Sequence, residues 1–202
     1  MNLQETYNKI AKDWQNDHQD DTWWQEGTNH FISLLNPGDE VLDVGCGTGV
    51  KAGYLSDRGL RVTGIDFSEG MIKVARNKHP EINFMILDIK NIQQLDRTFD
   101  AIFAQASLLH ISKAEVQEVV KGFVTHLKLN GYLYVAVKEK REGGVDEEVK
   151  KENDYGYDYE RFFSYFTPEE AAILMQNAGL EVVYQKVECS GNTNWIQIIG
   201  HK

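Results

Sequence analysis

The stretch Val41-Leu42-Asp43-Val44-Gly45-Cys46-Gly47-Thr48-Gly49 restricts the fold of this chain more than any other. Its apolar start reads as a short strand, and three glycines in five positions end that strand. Residues 49–58 then read as a helix. A strand that runs through a glycine-rich turn into a helix gathers backbone N–H groups at one point. It also lacks the Cβ atoms that would hold a ligand away. The spacing is GxGxG. A dinucleotide fingerprint would be GxGxxG, yet the residue five after Gly45 is Val50.

Strands and helices alternate from this loop onward. Arg61 to Ile65 reads as a second strand, and Ser68 caps a helix running to about Lys78. Asn83 to Leu87 and Phe99 to Ala104 are the third and fourth strands. Ser112-Lys113-Ala114-Glu115 has the form of a capping box opening a helix to about Leu127. Asn130-Gly131 turns into a fifth strand, Tyr132 to Val137. Thr167-Pro168-Glu169-Glu170 starts the last helix, with threonine as cap and proline in the first turn, and Gly179 ends it. Residues 180–188 and 193–200 form a hairpin around Ser190-Gly191-Asn192. Ahead of the glycine loop, residues 2–18 and 22–35 read as two helices. Leu3, Tyr7, Ile10, Ala11 and Trp14 share one face of the first. Strands spaced by helices imply a largely parallel sheet covered on both faces, joined by right-handed crossovers.

Residues 139–166 read as irregular. Seven aromatics fall within 155–166, namely Tyr155, Tyr157, Tyr159, Phe162, Phe163, Tyr165 and Phe166. Such density requires burial, against the sheet edge or over a ligand.

Two further carboxylates stand at strand ends. Asp66 follows Val62-Thr63-Gly64-Ile65, and Asp88 follows Phe84-Met85-Ile86-Leu87. In an open parallel sheet these turns meet Asp43 and its glycine loop at the carboxyl edge, where ligands bind in the crevice. A carboxylate at the second strand can accept both protons of a ribose diol, and one at the third can accept from a purine amine. Each aspartate alone would equally suit a helix or turn cap.

Taken together, Val-Leu-Asp43-Val-Gly45-Cys46-Gly47-Thr-Gly49, Gly64-Ile-Asp66-Phe67-Ser, Leu87-Asp88-Ile89 and Leu127-Lys-Leu-Asn-Gly131-Tyr resemble the successive motifs of class I S-adenosylmethionine-dependent methyltransferases. The likeness is close over residues 40–137 and looser through Phe166-Thr167-Pro168-Glu169-Glu170 and Ala178-Gly179-Leu180. Tyr7-Asn-Lys-Ile10-Ala11-Lys-Asp-Trp14 is similar to the opening helix that caps the cofactor in many members. The resemblance implies an α/β, Rossmann-like doubly wound sheet of seven strands, one of them antiparallel and supplied by the C-terminal hairpin. It implies S-adenosylmethionine as cofactor and S-adenosylhomocysteine as product. Gly45, Cys46 and Gly47 would border the methionine part, Asp66 would hold the ribose, and Phe67 and Met71 would pack on adenine. Asp88 and the Ile89 N–H would read the adenine edge, while Tyr7 and Gln105 would lie near the sulfonium and amino-acid end.

Methyl transfer is an in-line displacement on an already activated carbon, so positioning carries most of the catalysis. His110 is the candidate general base because imidazole titrates near neutrality, although orienting the loop or packing under the cofactor, as the resemblance implies, explains it better. Tyr155, Tyr157, Tyr159 and Arg161 are candidates for the acceptor pocket, with Arg161 suited to an anionic group; a packed cover explains them equally well. Ala104-Gln105-Ala106-Ser107 departs from the Asn/Asp-Pro-Pro-Tyr of many amino-group methyltransferases acting on adenine or glutamine. No HExxH or CxxC…CxxC spacing for a metal occurs.

Formal charge is 21 − 31 = −10, a field that repels phosphate backbones and disfavours nucleic acid as partner. Lys138, Lys140, Arg141, Lys150 and Lys151 alternate with acids and read as a solvated, mixed-charge segment. The chain has neither a 20-residue apolar run nor a charged and apolar leader, so a cytoplasmic protein away from membranes is expected. Cys46 and Cys189 form no CxxC and read as packing residues. At 202 residues a single domain is expected. Its parts would be an N-terminal helical cap (1–36), a cofactor-binding core (37–138), an aromatic-rich insertion or lid (139–166), and a terminal helix with hairpin (167–202). Monomer and homodimer are both compatible with this reading. The acceptor expected is a small molecule. Two other classes compete: a non-catalytic S-adenosylmethionine-binding regulatory domain, and a nicotinamide-dependent oxidoreductase, which the GxGxG spacing and Asp88 disfavour.

Overall fold

A computed structural model describes residues 2–18 and 20–202. Its main sheet contains β1 (Glu40–Val44), β2 (Arg61–Asp66), β3 (Asn83–Ile86), β4 (Phe99–Gln105), β5 (Leu127–Lys138), β8 (Glu181–Ser190) and β9 (Thr193–His201). Their spatial order is β3-β2-β1-β4-β5-β9-β8. All the pairings from β3 to β5 are parallel, and β9 runs antiparallel to both of its neighbours. This is the doubly wound seven-stranded sheet expected from the alternation, with one reversed strand from the C-terminal hairpin. The winding direction switches between β1 and β4, which opens a crevice at their carboxyl ends.

Alternate residues of the central strands enter opposite cores because successive side chains on a strand point to opposite faces. Leu42, Val44, Ile102, Ala104, Val135 and Val137 face α5 (Val116–Thr125) and α6 (Pro168–Asn177). Val41, Ala101, Phe103, Tyr134 and Ala136 face α2 (Gln25–Ser33), α3 (Val50–Ser56) and α4 (Glu69–Lys78). Phe103 stacks on Tyr134 with centroids 4.5 Å apart, and Phe31 of α2 packs on both. Each large apolar side chain buried this way contributes roughly 1.5–3 kcal/mol. The rigid sheet thereby fixes the residues at its carboxyl edge.

Two local expectations are corrected. The segment 139–166 is not irregular: β6 (Glu147–Glu152) and β7 (Tyr159–Ser164) form a separate antiparallel hairpin, with Val149 opposite Phe162 and Lys150 opposite Arg161. Glu-Glu-Val-Lys-Lys-Glu has no apolar alternation to signal a strand. On β7 the alternation is clear, with Tyr159, Arg161 and Phe163 buried. The capping box at Ser112–Glu115 does not form either. Ser112 Oγ donates to the Glu115 carboxylate at 2.7 Å, Lys90 Nζ reaches the same carboxylate at 2.7 Å, and α5 begins only at Val116. By contrast, Thr167 and Glu170 make a complete capping box, and Ser68 caps α4 by accepting from the Met71 N–H at 3.1 Å.

The first helix, α1 (Leu3–His18), lies across the carboxyl edge. Tyr7, Ile10 and Ala11 pack with Met71 and Tyr159. Asn8 Oδ1 accepts from Ser68 Oγ at 2.8 Å and from the Gly70 N–H at 2.9 Å. A Cβ on Gly70 would stand 2.7 Å from the Asn8 carbonyl oxygen, so glycine there permits the helix to dock.

Candidate active site

The glycine loop bends away from β1 through three left-handed positions, with φ of +74° at Gly45, +53° at Gly47 and +80° at Gly49. A Cβ on Gly45 would lie 2.4 Å from Ser107 Cβ, whereas one on Gly47 would meet nothing within 4 Å. The first glycine therefore lets two loops meet, and the second borders open space. That space is a cleft of about 1030 Å³ bounded by the ends of β1, β2 and β4, the turns after β3 and β4, α1, and β7.

Asp66 ties the floor together. Its two carboxylate oxygens accept from the Gly47 N–H at 2.9 Å and the Ser68 N–H at 2.8 Å. Burial raises its pKa to about 6 despite those two donors. Asp43, also fully buried, is pushed up to about 7 by burial, with Lys51 pulling the other way. Asp88 accepts from the Lys90 N–H at 2.9 Å and opens a 3-10 turn over Ile89–Gln94. Asp66 and Asp88 thus cap turns, as any aspartate at a strand end could, and line the cleft as well.

Several polar groups on the cleft wall are buried without protein partners: Asp43 Oδ2, both amide atoms of Gln105, both amide atoms of Gln15, and Ser107 Oγ. Buried polar atoms are seldom left unpaired, because each costs about 1–3 kcal/mol. Their convergence fits a polar ligand that supplies the missing bonds. Between Gln105 and Ser107, Ala106 is held at φ +55°, a strained conformation for a residue with a Cβ.

Tyr7 and His110 form one unit. Tyr7 Oη lies 2.6 Å from His110 Nε2, and His110 Nδ1 lies 2.7 Å from the Phe162 carbonyl. A carbonyl only accepts, so Nδ1 carries the proton. Burial lowers the His110 pKa to about 3, so the ring is neutral and Nε2 accepts from the Tyr7 hydroxyl. That lone pair is already engaged by the Tyr7 hydroxyl.

Gly45, Cys46, Gly47, Asp66, Phe67, Met71, Asp88, Ile89, Gln105, Tyr7, His110 and Arg161 all border the cleft. Tyr155, Tyr157 and Tyr159 do not. Tyr157 donates to Asp13 at 2.6 Å and Tyr155 to Asp17 at 3.3 Å, which ties the hairpin to α1. Tyr159 donates to Asp154 at 2.9 Å. Arg161 is gripped at both ends by Glu152, with Nε and Nη2 each donating at 2.6 Å.

The sequence reasoning did not place Gln15, Lys51, Lys138, Phe163 or Trp195 in the site, yet all are on the cleft wall. Gln15 follows Tyr7 and Ala11 at four-residue intervals, a spacing that places all three on one helix face. Lys138, expected to be solvated, is instead half-buried over the Phe163 ring at 4.1 Å. Trp195 is opposite Lys138 in the β5–β9 pair and stacks on Trp23 at 4.1 Å.

Among the described residues, no helix is long and apolar enough to cross a membrane, and no three His, Cys, Asp or Glu side chains are grouped to hold a metal ion.

Comparison with known proteins agrees with this geometry. The family described as "Methyltransferase domain" matches residues 41–131. A demethylmenaquinone methyltransferase of Renibacterium salmoninarum is 35% identical over 100 residues, covering 50% of this chain and 41% of that protein. A ubiquinone biosynthesis O-methyltransferase of Coxiella burnetii is 31% identical over 146 residues, covering 63% and 58%. The chain therefore spans about half the length of these relatives. Among solved structures, a Burkholderia thailandensis 1,6-didemethyltoxoflavin-N1-methyltransferase, with 1,6-didemethyltoxoflavin and S-adenosylhomocysteine bound, superposes with a TM-score of 0.77. It is 18% identical, and the match covers 99% of this chain and 87% of that one.

Proposed function

We propose that the chain is a class I S-adenosylmethionine-dependent methyltransferase and that it methylates a small-molecule acceptor. The observation that carries this reading is the set of unpartnered buried groups around the glycine loop: Asp43, Gln105, Gln15 and Ser107. Gly45, Cys46 and Gly47 would border the methionine portion of the cofactor, with Gln105 and Tyr7 near its sulfonium end. Asp66 would hold the ribose; Phe67, Met71, Asp88 and Ile89 would hold adenine. When bound, S-adenosylmethionine supplies an electrophilic methyl carbon.

The chain's own contribution is placement and exclusion of water. His110 holds the Tyr7 hydroxyl in one orientation. Docking α1 on α4 and β7 covers the cleft. Arg161 and Phe163 present the acceptor-facing wall. In this reading residues 1–36 are the cap, 37–138 the core, 139–166 the lid and 167–202 the closing helix and hairpin. The protein works in the cytoplasm, as monomer or homodimer, away from nucleic acid and membrane. One observation favours a regulatory S-adenosylmethionine-binding domain instead: the His110 lone pair is occupied, so it offers no base.

The test is incubation with S-adenosylmethionine and a panel of small phenols, amines and thiols, reading S-adenosylhomocysteine release. Acceptor-dependent release supports transfer. Tight cofactor binding with no release for any acceptor would favour the regulatory domain, and absence of binding would remove both readings.

A further inference from the structure

The cleft wall beyond Gln105 carries a cation that makes no ion pair among the described residues, Lys138. Lys138 is the last residue of β5; Ala136, two residues earlier, is the register partner of Gln105 at the carboxyl end of β4. Lys138 therefore stands one strand over from Gln105 and two residues further out. Nearby cations are paired: Arg161 with Glu152, Lys140 with Asp146 at 2.8 Å, and Lys150 with Glu148 at 3.6 Å. Among the described residues no carboxylate lies within 4.0 Å of Lys138 Nζ. Glu152, the acid that could have served it, has both oxygens taken by Arg161. A half-buried ammonium without a partner is costly to keep. Burial, then Arg161 and Lys150, lower its pKa to about 8, against the opposing pull of Glu152 and Glu148.

The surroundings of this cation are flat and apolar. Its Nζ lies 4.1 Å from the Phe163 ring centre and 5.7 Å from that of Trp195. Trp195 and Trp23 are nearly parallel at 13°, and all three rings border the cleft. Arg161, its charge balanced by Glu152, lies 5.1 Å from the same Phe163 ring. The unpaired ammonium repels an ammonium acceptor, while the flat Trp23–Trp195 stack on the same wall favours a planar one.

We infer that Lys138 is the anion-recognising residue of the acceptor subsite, and that the acceptor is a flat-ringed small molecule bearing a carboxylate or other acidic group. This rests on the proposed methyltransferase reading and narrows its substrate class. The ammonium is neutralised by the acceptor's anion on binding, and the acceptor ring lies against Trp195, with Phe163 backing Lys138 from beneath.

The test uses the full chain saturated with S-adenosylhomocysteine, titrated with 4-hydroxybenzoate and with its uncharged counterpart 4-hydroxybenzamide, followed by calorimetry and by NMR of the small molecules. The carboxylate is expected to bind at least tenfold more tightly than the amide. Lys138→Gln is expected to erase that difference with S-adenosylhomocysteine affinity unchanged, and Lys138→Arg to retain it. Equal binding of the two probes to the unaltered protein, or binding of neither, overturns the inference, as does a preference that survives Lys138→Gln. If S-adenosylhomocysteine itself fails to bind, the cofactor reading falls instead, and the two failures are told apart in the first titration.

Discussion

The hydroxyl of Tyr7, on the first helix, sits 2.6 Å from Nε2 of His110, on the turn after β4, and the carbonyl of Phe162 holds the opposite ring nitrogen. Three segments far apart in the chain thus meet through one imidazole. The two bonds set the proton on Nδ1 and leave no free lone pair. Nitrogen-detected NMR should therefore find His110 neutral, with Nδ1 protonated, from pH 5 to 8. A ring that titrates near 6.5 would contradict this. The folded pKa lies below the unfolded one, so this histidine's contribution to stability is complete above about pH 6.5. It is lost as pH falls from there toward about 3. Tyr7→Phe leaves Nε2 without its donor and should cost about 1–3 kcal/mol of stability, read by urea unfolding.

Asp43 follows the opposite sign. Its folded pKa, about 7, is raised above the unfolded value of 3.8, so its share of stability is present at acid pH and lost as pH rises through 7. Asp43→Asn should raise the melting temperature of the ligand-free protein at pH 8 and change it little at pH 4. The ceiling on the gain is about 4 kcal/mol, three pH units at about 1.4 kcal/mol each. A melting temperature lowered at pH 8 would show that the carboxylate is compensated in the folded chain.

Asp66→Ala should weaken S-adenosylmethionine binding by about 2–4 kcal/mol, the loss of two hydrogen bonds to a charged group. Calorimetry reads this directly, and unchanged affinity would remove Asp66 from the ribose site. Because Asp66 also anchors Gly47 and Ser68, some stability should go with it.

The two loop glycines separate fold from ligand. Gly45→Ala places a Cβ against Ser107 at 2.4 Å and should depress both stability and binding. Gly47→Ala meets no protein atom within 4 Å. It should cost only the left-handed penalty of about 1–2 kcal/mol in stability while losing cofactor affinity. Comparable stability losses in the two variants, with affinity intact, would place the ligand elsewhere.

Tyr155 and Tyr157 reach α1 from outside the cleft. Replacing both with phenylalanine should speed hydrogen exchange in α1 and β7, with a small change in melting temperature. Unaltered exchange would mean that the packing of Ile10, Ala11 and Tyr159 alone holds the hairpin to α1.

What could be read in advance follows a physical rule. Asp43, Asp66, Asp88 and Gln105 were legible because strand ends in a parallel sheet converge on one edge whatever the helices do. Lys138 and Trp195 were not, since their meeting depends on β9 pairing beside β5, a register that no local pattern encodes. The strand β6 escaped notice because its polar residues carry no period-two signal. The box at Ser112 was misjudged because Lys90 arrives from another turn and claims Glu115, a competition invisible along the chain.

The β6–β7 hairpin belongs to a different sheet from the strands that carry the aspartates, and among the described residues the backbone bridge beside it, Glu139 to Phe166, lies in the segments that flank the hairpin. The two halves of the cleft can consequently diverge at different speeds. Substitutions on the cleft-facing residues of this hairpin leave every pairing in the main sheet untouched, so that wall can change while the glycine loop and its carboxylates keep their frame. For an engineer, residues 147–164 are the cassette to exchange.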